Sequence, residues 1–121
     1  YIIGRDDWSG QSRWGRPRKP LTEIIQGVDP ALPLILMDHQ PNRLNEAQAA
    51  GIDLLVCGHT HRGQMFPNHL LTRRVFEIDW GHLKKGALHV IVSLGFGTWG
   101  PPVRIGNRPE VVSIRVRFTG E

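Results

Sequence analysis

Apolar residues in this chain come in short runs, and the polar breaks between them alternate in character. Residues 1–5 read as a short strand, broken by a polar loop over 6–20. A helix beginning near Leu21 would place Leu21, Ile24, Ile25 and Val28 on one apolar stripe, with Gly27 and Pro30 at its end. Residues 32–37 are continuously apolar, which predicts a strand covered on both faces. That run stops at the polar tip Asp38-His39-Gln40-Pro41. Residues 42–50 then read as a helix with Leu44, Ala47 and Ala50 on one side and Gly51 as its stop. A second apolar strand, 52–57, ends at Gly58-His59-Thr60-His61.

Strand, helix and strand with short connections make a βαβ unit, whose two strands are parallel neighbours. Both strands deliver their polar tips to one edge of the sheet, where α/β proteins bind ligands. His39, His59 and His61 all fall there. Downstream, 68–75 predicts a short helix and 76–83, 88–94 and 111–118 predict strands, with a hairpin turn at Lys84-Lys85-Gly86. The stretch 95–109 is too rich in Gly and Pro for a regular element. The architecture expected is α/β, a parallel unit followed by antiparallel strands.

Composition narrows this picture only a little. A chain of 121 residues with 40% hydrophobic and 21% charged residues has the make-up of one globular domain. No apolar run approaches the roughly 20 residues of a spanning helix. The first residues already read as a strand in progress, so the N-terminus is expected to be a cut, and any leader or anchor would lie upstream. Cys57 stands alone, which rules out a disulfide framework and a Cys-rich zinc module, and its apolar neighbours predict an inert buried thiol. The formal charge is +4, and much of it sits in Arg13-Trp14-Gly15-Arg16-Pro17-Arg18-Lys19. Arg interleaved with Trp suits a nucleic-acid backbone or another anion, as a non-catalytic binding module would. A solvated loop is the reading preferred, because nucleic-acid domains spread their basic footprint over a regular element. Nucleic acid is therefore not the expected partner.

The chemistry sits at the strand tips. Residues two apart on an extended backbone project to the same side, so His59 and His61 face one region. Imidazole is a ligand for zinc, iron and manganese-type ions, and Gly58 would let the backbone bend and approach an ion closely. His39 at the adjacent tip completes a set of three. Asp38 and Gln64 are secondary candidates for orienting or hydrogen-bonding roles nearby, although strand alternation aims Asp38 to the opposite face.

Gly58-His59-Thr60-His61 followed by Gly63-Gln64 resembles the final signature block of calcineurin-like metallophosphoesterases, and the isolated His39 resembles the block before it. Gly4-Arg5-Asp6-Asp7 is similar to the segment that opens this half in bacterial members. Gly97-Thr98-Trp99-Gly100-Pro101-Pro102-Val103-Arg104, with Arg108-Pro109-Glu110, is similar to their C-terminal tail. The resemblance implies the C-terminal half of a four-layer α-β-β-α sandwich, with the N-terminal half absent. It implies two divalent ions (Mn, Zn, Fe or Mg), His39 and His59 resembling ligands of one and His61 a ligand of the other. The implied reaction is hydrolysis of a phosphomonoester or phosphodiester by a metal-bound hydroxide.

Three earlier blocks of the family pattern, including the bridging Asp and the Asn-His block, do not occur in this chain. Asn68-His69 follows Pro67 and does not fit the Asn-His block. The fragment is accordingly expected to hold one ion weakly at most and to have no useful activity. It is also expected to bury its unpartnered face against the missing half, or by dimerisation or strand exchange. Arg62 stands where the family often has Gly; it would reach a substrate phosphate or point to solvent. Trp99 is expected to anchor in the core, and His69, His82 and His89 to be structural or surface residues. Similar bacterial proteins carry membrane segments or export signals, so an envelope-associated parent is implied.

Overall fold

A computed structural model describes residues 1–8 and 17–118. In chain order the elements are β1 (Ile2–Gly4), α1 (Leu21–Ile24), β2 (Ile35–Met37), α2 (Leu44–Ala49), β3 (Leu54–Cys57), a 3-10 turn (His61–Gly63), α3 (His69–Val75), β4 (Gly81–Lys85) and β5 (Leu88–Val92). They form one five-stranded sheet in the order β1-β2-β3-β5-β4. The first four of these are parallel and β4 returns antiparallel at the edge. The βαβ unit is therefore present as the apolar runs predict, with Ile35 opposite Leu54 and Met37 opposite Val56.

Strand alternation sorts the side chains by face. Leu36, Leu55, Cys57, Val90 and Val92 are buried together with Leu21 of α1 and with Leu44 and Ala47 of α2. Ile24, Ile25 and Val28 pack partly buried against that cluster, so the predicted stripe holds although α1 is a single turn. Each fully buried Leu or Val here is worth about 1.5–3 kcal/mol relative to exposure. Glu46 ties the layers together. Arg5 at the end of β1 donates to both its carboxylate oxygens, at 2.8 and 3.1 Å, and the Leu21 N–H of α1 donates to Oε1 at 3.2 Å. That last bond satisfies one of the donors a helix leaves open in its first turn.

The opposite face corrects the expectation of a strand covered on both sides. Ile2 is 73% and Met37 51% exposed, and Ile35, Leu54, Val56 and Ile91 beside them are only half-buried. Continuous apolar sequence reflects two apolar faces, but the described helices cover only one.

The C-terminal region holds two further corrections. Residues 76–80 are not strand, because side chains capture the backbone there. Thr60 Oγ1 donates to the Asp79 carbonyl at 2.6 Å and Thr72 Oγ1 to Asp79 Oδ2 at 2.6 Å. Residues 111–118 alternate apolar and polar as a strand would, yet they pair with no strand among the described residues and lie exposed. A strand needs a neighbour's donors and acceptors, and periodicity alone does not supply one. The hairpin turn falls at Gly86-Ala87, since Lys85 still pairs with Leu88. Residues 95–109 are irregular, as their Gly and Pro content predicts, and touch the rest through a bridge between Met65 and Ile105. Among the described residues no helix is long and apolar enough to cross a membrane.

Candidate metal centre

β2 and β3 end side by side, and their ladder continues into the tips. The Asp38 N–H donates to the Val56 carbonyl at 3.1 Å and the Gly58 N–H to the His39 carbonyl at 3.1 Å. This continuation brings the two tip histidines together: His59 Nδ1 lies 3.0 Å from His39 Nε2, with ring centroids 4.8 Å apart at 78°. Two imidazole nitrogens so placed match neighbouring positions on an ion with bonds of about 2.0–2.1 Å.

The turn that follows is locally strained. His59, His61, Arg62 and Gln64 all have positive φ, at 67°, 44°, 49° and 58°. Non-glycine residues rarely adopt this region, and such conformations persist where surrounding contacts over-determine them. Thr60 supplies one such contact, buried and bonded to Asp79, while its Oγ1 accepts from the Arg62 N–H at 3.2 Å.

Burial, foremost, holds His59 below the ordinary imidazole pKa, with the neighbouring charges of His39 and His61 in the same direction and Asp7 opposing them. A ring kept neutral retains a lone pair for a ligand. His61 is close enough to act on His59 electrostatically, but its ring turns elsewhere: Arg104 Nη2 lies 3.2 Å from its Nδ1. Among the described residues, no group of three or more His, Cys, Asp or Glu side chains forms a site that could hold a metal ion. His39 and His59 meet; His61 does not join them at one point.

The secondary candidates each have a defined partner. Asp38 pairs with Arg18 through Oδ2, their side chains only 4% and 8% exposed, and its other carboxylate oxygen is buried without a hydrogen-bond partner. The preferred reading of the basic stretch as solvated fails at Arg18 for that reason; residues 13–16 lie outside the described residues. Arg62 is partly exposed and its guanidinium stacks on the Trp80 ring, with 4.5 Å to the centroid. Gln64 is buried and clamps the tail. Its amide donates to the carbonyls of Trp99 at 2.8 Å and Pro101 at 3.1 Å, and its carbonyl accepts from the Trp99 N–H at 2.6 Å. Trp99 itself is 78% exposed, contrary to the expected core anchor. Cys57 is buried with its thiol pushed up to about 12, chiefly by desolvation, as an inert thiol should be. His82 and His89 pair with each other at 3.0 Å on β4 and β5, and His69 rests beside Phe66.

Three residues near the histidines appear in the sequence reading only as members of motifs, with no role of their own. Asp7 accepts from the Gln40 side chain at 3.3 Å and its charge is felt at His59. Its only signal was its place in Gly4-Arg5-Asp6-Asp7, just after the first strand. Arg104 lies 43 positions from His61 in sequence, a separation no local pattern spans. Gly63 is the closely packed glycine of this turn. A Cβ at Gly58 would meet nothing within 4 Å, whereas at Gly63 it would lie 2.5 Å from backbone atoms of Asn68 and His69.

Neither a protein-family model nor a solved structure matches the chain. Curated proteins do. An uncharacterized metallophosphoesterase of Aquifex aeolicus is 35% identical over 98% of this chain and 46% of its own length. The transmembrane protein with metallophosphoesterase domain of Danio rerio is 38% identical over 93% of this chain and 27% of its own. An uncharacterized metallophosphoesterase of Helicobacter pylori is 37% identical over 79% of this chain. The chain belongs to the metallophosphoesterase family. It spans less than half the length of these family members. The five-stranded α/β sheet accords with a fragment of that fold.

Proposed function

We propose that the whole protein is a divalent-metal-dependent phosphoesterase acting on a phosphomonoester or phosphodiester, and that this chain is the C-terminal half of its four-layer α-β-β-α domain. The observation that carries the reading is the 3.0 Å approach of His39 Nε2 to His59 Nδ1 at adjoining strand ends. The donor set fits a divalent ion such as zinc in part: two neighbouring imidazoles, one with its pKa lowered chiefly by desolvation. His39 and His59 would hold one ion and His61 would serve the other. Bound there, such a pair of ions supplies Lewis-acid activation of water and neutralisation of phosphoryl charge. The carboxylate that bridges them comes from the remaining half of the domain, so this chain alone holds one ion weakly at most and does not turn over.

The half-exposed apolar face of the sheet supports the same division. It carries Ile2, Ile35, Met37, Leu54, Val56 and Ile91, and the family members' additional length leaves room for a second sheet that would cover it. In isolation the face would drive dimerisation or strand exchange. Relatives named as transmembrane proteins favour a membrane-associated parent.

The test uses the full-length protein. Manganese or zinc binding by calorimetry and hydrolysis of a chromogenic phosphodiester should both be present. Both should be lost, or weakened at least tenfold, in His39→Ala and His59→Ala, a loss in line with removing a ligand. Undiminished metal binding in either variant overturns the assignment.

A further inference from the structure

Helix α3 is turned inside out for a surface that meets water. His69 and Thr72 share its inner side, both half-buried, and Thr72 Oγ1 donates to Asp79 Oδ2 at 2.6 Å. Its outer side carries Leu70, Leu71 and Val75, the last two each 65% exposed. A surface helix of a globular protein ordinarily turns its apolar side inward. The orientation is fixed by the histidine turn, where Gly63 packs so closely that a Cβ would lie 2.5 Å from the backbone of Asn68 and His69.

The apolar surface continues beyond the helix. Phe66 lies just before it, exposed, and its N–H donates to the carbonyl of the exposed Ile105 at 2.8 Å. Gln64 holds the backbone of Trp99 close by while the ring stands outside. Arg73 and Arg74 sit among these side chains, exposed and without a salt bridge among the described residues. Residues 58–76 and 95–109 contain no Asp or Glu. Glu77, the next acid along, is paired with Lys85 at 2.6 Å.

We propose that this face, α3 together with Phe66, Ile105 and Trp99, is a docking surface for an anionic lipid bilayer. Its aliphatic side chains would enter the boundary between headgroups and acyl chains, while Arg73 and Arg74 meet the negative headgroups. Trp is suited to that same depth. A nucleic acid would take the arginines but leave Leu70, Leu71 and Val75 in water. A second copy packed on the same face would set arginine against arginine. None of these residues belongs to the sheet face that carries Ile2 and Met37, which the rest of the domain would cover. The surface stands on exposure and charge, and does not depend on the histidines holding a metal.

The experiment places a fluorophore on the full-length protein at Leu71→Cys or, as a control on α1, at Glu23→Cys; Cys57 is buried and out of the label's reach. Vesicles of phosphatidylcholine and phosphatidylserine with brominated acyl chains should quench the label at 71 and leave that at 23 unaffected. An anchor elsewhere in the protein would hold it at the bilayer without bringing residue 71 to the acyl chains, so the quenching reads this face alone. Arg73→Gln with Arg74→Gln should lower the ratio of docked to undocked protein about 25-fold, from about fivefold per arginine. No quenching at 71, or equal quenching at 23, overturns the proposal. Quenching that is unchanged on phosphatidylcholine alone, or in the double variant, overturns it as well, since the charge would then play no part. A label at 71 already shielded from iodide before vesicles are added overturns it too, because the rest of the domain or a second copy would then cover α3.

Discussion

Replacing Gly63 by alanine puts a methyl group where the chain has left no room. The added Cβ would stand 2.5 Å from the Asn68 carbonyl carbon and the His69 nitrogen and 2.8 Å from Asn68 Cβ. Two of those three atoms are backbone at the start of α3, so no side-chain rotation relieves the overlap. Gly63 also has φ +74°, which costs an L-residue roughly 1–2 kcal/mol. Overpacking against fixed neighbours adds about 1–3 kcal/mol. The substitution is therefore expected to destabilise by about 2–5 kcal/mol and to loosen the turn that carries His59 and His61. Gly58→Ala is the internal control: it lies in the same turn, its Cβ would meet nothing within 4 Å, and its φ is not in the left-handed region. It should stay within about 1 kcal/mol of wild type. Denaturant unfolding of the full-length protein and both variants reads the difference directly. If Gly63→Ala proves no more costly than Gly58→Ala, the packing argument for this turn is wrong.

Asp38→Ala leaves Arg18 buried without its counter-charge and should cost about 3–5 kcal/mol in denaturant unfolding, while the double variant Arg18→Met with Asp38→Leu recovers most of the loss. A cost below about 1 kcal/mol for the single change would contradict a buried pair. The Arg5 bonds, foremost, hold the Glu46 carboxyl below its ordinary 4.5. Its stabilising contribution is thus complete above that value and disappears as pH falls through the lower folded value. Glu46→Gln should flatten the acid side of the stability profile below pH 4.5, and an unchanged acid limb would refute the link. Gln64→Ala removes three bonds to Trp99 and Pro101 and should cost about 2 kcal/mol, with faster limited proteolysis within 96–103 as the readout. Unaltered cleavage there would mean that the tail is held by something else.

The parallel unit was legible because its signals are local. Two apolar runs, a stripe of Leu44 and Ala47 between them, and polar tips on both strands are enough to imply adjacency and a common edge. The approach of His39 to His59 follows from that adjacency. The fate of 111–118 was not legible, since alternation describes a strand's faces and says nothing about which edge receives it. Trp99 misled for a related reason. Its large apolar surface argues for burial, but the Gly and Pro residues around it are fixed by backbone bonds to Gln64 that leave the ring outside.

Local periodicity and residue chemistry thus determined the elements, the parallel pairing and the edge at which the histidines gather. Only the tertiary structure decided what each tip side chain touches: Asp38 bound to Arg18, Arg62 laid on Trp80, and His61 turned toward Arg104. Those contacts join residues 18 to 43 positions apart, and they form because distant segments happen to be packed over the same tips. A side chain's partner is set by that packing, and hydrophobic pattern encodes only the side of the sheet on which the side chain begins.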